Sequence, residues 1–142
     1  MSNEVRIYFA GSIRGGRQDQ ALYFEIVERL RKYGQVLTEH IGDAALSFTG
    51  EDQSDQSIHD RDLAWLKSAD YLVAEVTTPS LGVGYEIGKA TEWGMPVLCL
   101  FRAAEGRALS AMIAGCDEVM VREYRTLEEV ESILAEFLTS AG

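Results

Sequence analysis

Three stretches of this chain are apolar almost without interruption, and each runs into a polar loop. VRIYFA at residues 5–10 stops at Gly11, DYLVAEV at 70–76 runs into TTPS, and PVLCLF at 96–101 stops at Arg102. A strand with one wet face alternates polar and apolar residues. Continuous runs of this length belong instead to parallel strands covered on both faces. Two shorter runs, at 35–38 and 118–122, complete a set of five. Between the runs lie stretches with helical periodicity, at 18–33, 57–69, 82–93, 108–113 and 126–138. Gly34 reads as the stop of the first helix, and Ser57 with Asp60 as a capping box for the second. Strands alternating with helices predict an α/β fold: a doubly wound, flavodoxin- or Rossmann-like five-stranded parallel sheet of order 2-1-3-4-5. With 142 residues, two prolines and no repeat or low-complexity tract, residues 1–142 are expected to form a single domain.

Such sheets bind ligands beyond the carboxyl ends of their strands, where the strand order reverses. The loops after residues 10, 76 and 101 should therefore share one crevice. The first of them reads Gly11-Ser12-Ile13-Arg14-Gly15-Gly16-Arg17. Glycines let a backbone approach a ligand closely, and the following helix offers free N–H groups at its positive end. Ser12 can donate a hydroxyl and Arg14 a bidentate fork suited to phosphate. The spacing is neither GxGxxG nor a Walker loop, so an ordinary glycine-rich turn with solvated arginines stays open beside the anion site. Residues 40–56 are polar and poorly periodic, either a lid or a surface excursion.

Two carboxylates stand where apolar residues are expected. Ile58, Asp62 and Leu66 fall at i, i+4 and i+8, so Asp62 interrupts an apolar stripe. It is either functional or a structural aspartate paired with Arg61 or a neighbouring helix. In the helix opening with Leu81-Gly82-Val83-Gly84-Tyr85-Glu86, residues Val83, Ile87, Ala90 and Gly94 make the expected buried stripe. Glu86 lies about 60° from Val83, at the stripe's edge. It either complements the helix dipole or faces the crevice, and the dipole should favour its ionised form. An adjacent pair of carboxylates is the arrangement of a retaining glycosidase, one attacking an anomeric carbon while an acid protonates the leaving group. Tyr8, His40 and Ser110 are each unremarkable alone: a core tyrosine, a surface histidine and a helical serine.

The charge balance narrows the partners. Thirteen basic residues against 23 acidic give a net charge of −10, which repels a polymeric phosphate backbone on average and argues against nucleic acid. A small phosphate ligand needs only a local positive site. Cys99 and Cys116 have no zinc or disulfide spacing and read as buried, reduced thiols. No stretch is long and apolar enough to span a membrane, and MSNEVRIYF lacks a signal-peptide pattern. An intracellular, cytoplasmic protein is expected.

Taken together, YFAGSIRGGR, LTEH, IHDRDLAWLKSADYLVAEVTTPSLGVGYEIG, VLCLFR and GRALSAMI strongly resemble the 2'-deoxynucleoside 5'-phosphate N-hydrolases, which belong with the nucleoside 2-deoxyribosyltransferases. The likeness runs from about Arg6 to Ile113. It implies hydrolysis of the N-glycosidic bond of 2'-deoxynucleoside 5'-monophosphates, with no metal or organic cofactor. Glu86 matches the nucleophile, Tyr8 the tyrosine that positions it, and Asp62 the second acid. Ser12, Arg14, Ser80 and Ser110 match the phosphate contacts, while Gly11, Ile13, Gly82 and His40 would line the nucleotide site. It further implies a homodimer in which Ser110 reaches the neighbouring active site. The rivals are a deoxyribosyltransferase using the same Glu86 and a noncatalytic nucleotide-binding module. Residues 41–56 match poorly, and base preference is not carried over.

Overall fold

The computed structural model describes residues 4–13, 16–38, 54–102, 104 and 106–140. Arg14, His40 and nearly all of the 40–56 excursion lie outside them. In chain order the elements are β1 (Arg6–Gly11), α1 (Gly16–Leu30), β2 (Gln35–Thr38), α2 (Asp55–Ser68), β3 (Tyr71–Glu75), α3 (Leu81–Glu92), β4 (Val97–Arg102), α4 (Ala111–Ala114), β5 (Val119–Tyr124) and α5 (Leu127–Ser140). All strand pairings are parallel and the order is β2-β1-β3-β4-β5, as expected from the continuous apolar runs. The reversal of order falls between β1 and β3, where Ala10 pairs with Ala74 and Gly11 with Glu75.

Strand alternation divides the core in two. Ile7, Phe9, Val73, Leu98 and Leu100 face α1 and α5. These helices bury Tyr23, Ile26, Val27 and Leu30, and Val130, Ile133, Leu134 and Phe137, each at spacing i, i+3, i+4, i+7. On the other face Tyr8, Ala10, Leu72, Ala74 and Cys99 pack against α2 and α3 through Leu66, Val83, Ile87 and Ala90. Cys99 is buried, which pushes its thiol up to about 12, whereas Cys116 is only half-buried; both are free. Among the described residues no helix is long and apolar enough to cross a membrane.

Three local expectations change. The second helix starts earlier than its periodicity indicates: its cap is Ser54, whose hydroxyl accepts the Ser57 N–H at 3.1 Å, so Ser57 is inside the first turn. Helix α1 ends at Leu30, and Gly34 sits in the turn after it, where a Cβ would fall 2.2 Å from the Val5 carbonyl oxygen. The glycine there permits a close backbone approach rather than stopping the helix. Gly94 is exposed, not part of the α3 stripe; at φ +76° it makes the left-handed turn behind the C-cap Trp93.

Candidate active site

The buried stripe of α3 is Val83, Glu86, Ile87 and Ala90, again at i, i+3, i+4, i+7. Glu86 thus occupies a full core position rather than its edge, and is 5% exposed. It faces Tyr8 on β1, 78 residues away in sequence. The Tyr8 hydroxyl donates to Glu86 Oε2 at 2.6 Å. Glu86 Oε1 is buried and makes no hydrogen bond among the described residues. An orphaned carboxylate oxygen inside a protein is costly and calls for a partner, such as a water or a ligand atom.

Asp62 on α2 is 7% exposed. Its Oδ1 accepts from Arg61 Nε at 2.9 Å and is ion-paired with Nη2 at the same distance, and the Arg61 guanidinium lies 4.8 Å from the centre of the Trp65 ring. The structure therefore supplies the Arg61 pair considered above, and still leaves Oδ2 for a ligand. Asp62 and Glu86 line one cavity of about 260 Å³, with Asp55, Ile58, His59, Leu63, Gly82 and Tyr85. Burial, and then the charge of Asp62, push the Glu86 carboxyl up to about 7 against the Tyr8 hydrogen bond, which lowers it. This corrects the expectation that the helix dipole would favour the ionised form: desolvation and a like charge outweigh it.

His59 and Tyr85 were not anticipated. His59 Nε2 lies 2.9 Å from the Tyr85 hydroxyl and Nδ1 lies 2.8 Å from Asp60 Oδ1. Helical spacing was the available signal, since His59 precedes Asp62 by three residues and Tyr85 follows Gly82 by three.

Of the other expected residues among those described, only Gly82 lines this cavity. Gly11 and Ser12 are buried at the end of β1, and a Cβ on Gly11 would meet the Tyr23 ring at 2.9 Å. Ile13 is 58% exposed. Ser80 caps α3, its Oγ accepting the Val83 N–H at 3.2 Å, and Ser110 caps α4 by accepting from Met112 N–H at 3.2 Å. Each hydroxyl keeps its own hydrogen to donate. Ser80 and Ser110 line a second, largely apolar cavity of about 430 Å³ with Leu81, Val83, Gly84, Ile87 and Met112. Glu86 and Gly82 line the smaller cavity and not this one, so Ser80 and Ser110 do not share the Glu86 cavity of their own chain. Among the described residues no group of three or more His, Cys, Asp or Glu could hold a metal ion.

Residues 7–124 match the family model described as nucleoside 2-deoxyribosyltransferase. A mouse protein named 5-hydroxymethyl-dUMP N-hydrolase is 60% identical over 133 residues, covering 90% of this chain and 76% of that protein. A Nematostella vectensis protein, named putative 2'-deoxynucleoside 5'-phosphate N-hydrolase 1, is 52% identical over 147 residues, covering 99% of each. Among solved structures, a CMP N-glycosidase from Clostridium botulinum shares the fold with a TM-score of 0.63 at 17% identity, over 93% of this chain and 98% of that one.

Proposed function

Because the chain belongs to the nucleoside 2-deoxyribosyltransferase family, we propose that it is an enzyme that hydrolyses the N-glycosidic bond of 2'-deoxynucleoside 5'-monophosphates. The observation that carries this reading is the Tyr8–Glu86 pair, with one carboxylate oxygen held by the phenol and the other unpartnered beside Asp62. Glu86 Oε1 attacks C1' as the C1'–N bond breaks, and Asp62 supplies or relays the proton that the leaving base needs. Water then attacks C1' of the deoxyribosyl ester, freeing Glu86 and releasing 2-deoxyribose 5-phosphate. This is the double displacement of a retaining glycosidase. The missing 2'-hydroxyl eases the oxocarbenium-like transition state, because no electron-withdrawing oxygen sits beside it. Ser12, Arg14 and Ser80 hold the 5'-phosphate, a contact remote from the bond that breaks. Gly11, Ile13, Gly82 and His40 line the rest of the nucleotide.

Chromatography of nucleotides after incubation with the protein tests this. Free base from a deoxynucleoside monophosphate, and not from the matching ribonucleotide or unphosphorylated deoxynucleoside, is the expected result. The name of the mouse relative supports including 5-hydroxymethyl-dUMP among the substrates tried. Base exchange only when a free acceptor base is added would replace the hydrolase by a transferase. Absence of base release from every nucleotide tried would leave a binding protein.

Ser110 takes part through a second copy of the chain. Leu81 is 96% exposed and Met112 83% exposed, both on the face of the larger cavity, an arrangement that supports burial against a partner. Met112→Arg is expected to turn a dimer into a monomer in sedimentation and to lower kcat/KM at least about fivefold at dilute protein. A wild-type monomer that is fully active would remove Ser110 from the site.

A further inference from the structure

A buried polar cluster lies on the α1–α5 face of the sheet, away from Glu86. Asp19, in the first turn of α1, is 6% exposed. Its Oδ2 accepts from the Thr78 hydroxyl at 2.9 Å and its Oδ1 from Arg102 Nη2 at 3.1 Å. The Arg102 backbone N–H donates to Thr77 Oγ1 at 2.7 Å, and Arg107 Nη1 donates to the Thr77 carbonyl at 3.2 Å. Below them Glu75, 1% exposed, accepts from the Thr77 N–H at 2.9 Å, from the Thr77 hydroxyl at 2.8 Å and from the Tyr124 hydroxyl. Burial, and then the Glu75 charge, push the Tyr124 phenol upward, so it stays a donor.

Asp19 joins three segments. Helix α1 begins four residues after Ser12, Thr78 stands two residues before Ser80, and Arg102 ends β4 before the chain runs on to Ser110. A carboxylate in the first turn behind an anion loop would repel the anion. Here it is buried, and its oxygens are taken by a hydroxyl and a guanidinium, the pairing that makes a buried charge tolerable. We infer that Asp19 is a positioning residue for the phosphate subsite: by tying α1 to the Thr77–Ser80 link, it holds Ser12 and Ser80 at the spacing a phosphate requires, and Arg102 offsets its charge. It touches no ligand itself. The inference rests on the phosphate subsite proposed above.

Thr78→Val removes one hydrogen bond at constant charge and nearly constant shape, and Asp19→Asn removes the charge at constant size. In Thr78→Val, KM for a deoxynucleoside monophosphate is expected to rise about fivefold, kcat to change less than about twofold, and the calorimetric Kd for inorganic phosphate to weaken in step with KM. In the Asp19→Asn background, where the partner is already altered, Thr78→Val should add less than about twofold. A purely structural Asp19 would lower the unfolding midpoint in both variants and leave the phosphate Kd unmoved, which overturns the inference. So would fully additive effects, or a wild-type protein that binds no phosphate. Calorimetry needs no turnover, so the phosphate arm stands even if no nucleotide is hydrolysed.

Discussion

Glu86→Gln is expected to abolish base release while nucleotide binding persists. The amide keeps the shape of the carboxylate and can still accept the Tyr8 hydroxyl, but it cannot attack C1' or leave as an ester oxygen. Loss of a nucleophile should lower kcat by about 10⁴-fold or more, read by single-turnover chromatography. Stability separates this from misfolding. The Glu86 carboxyl titrates near 4.5 when unexposed to the fold and is pushed up to about 7 within it. Between those values the folded state holds a proton that the unfolded chain has released, so stability falls as pH rises through the window, and the cost is complete above about 7. Glutamine does not titrate. The variant should therefore unfold at a higher temperature than wild type at pH 8, by up to about 3 kcal/mol of stability, with the gap closing at pH 4. Turnover within tenfold of wild type would end the assignment of Glu86 as nucleophile.

Tyr8→Phe should act through the same carboxylate and show its effect as a pH shift. The Tyr8 hydroxyl is the influence that lowers Glu86 toward about 7, against burial and Asp62. Phenylalanine fills the same space on β1 without that donor. Glu86 then titrates above 7, and the attacking anion is scarcer at neutral pH. A hydrogen bond to a charged group corresponds to roughly one to two pH units, so the acid limb of kcat/KM should move up by that much. At pH 6.5 the loss should be about 10- to 100-fold, shrinking as pH approaches 9. A pH–rate profile that falls in parallel at every pH would mean that Tyr8 only packs.

The fold was legible because burial on both faces leaves an unmistakable trace. β1, β3 and β4 each lie between two helical layers, and so read as unbroken apolar runs. Helix ends were less legible, since the Ser54 and Ser57 hydroxyls are equally able to cap and only the path of the chain into α2 chooses Ser54. Asp62 announced itself by standing in an apolar stripe. Glu86 was legible only as an edge residue of the α3 stripe, because periodicity gives the angle around a helix but not how far the neighbouring elements reach to cover it.

What the residue order alone determined was therefore local and periodic: which segments are strands, how they must be ordered to cover both faces, and which polar residues break the pattern. The tertiary structure decided everything that depends on distance between segments. Tyr8 is an ordinary core tyrosine until β1 and α3 pack and its hydroxyl meets Glu86. Asp19, Thr78 and Arg102 are three scattered polar residues until three strand ends converge. The proton affinity of Glu86 follows the same rule. Helix position alone favours the anion, and only burial beside Asp62 reverses that, because desolvation and charge repulsion are properties of a packed neighbourhood and not of a position in a chain.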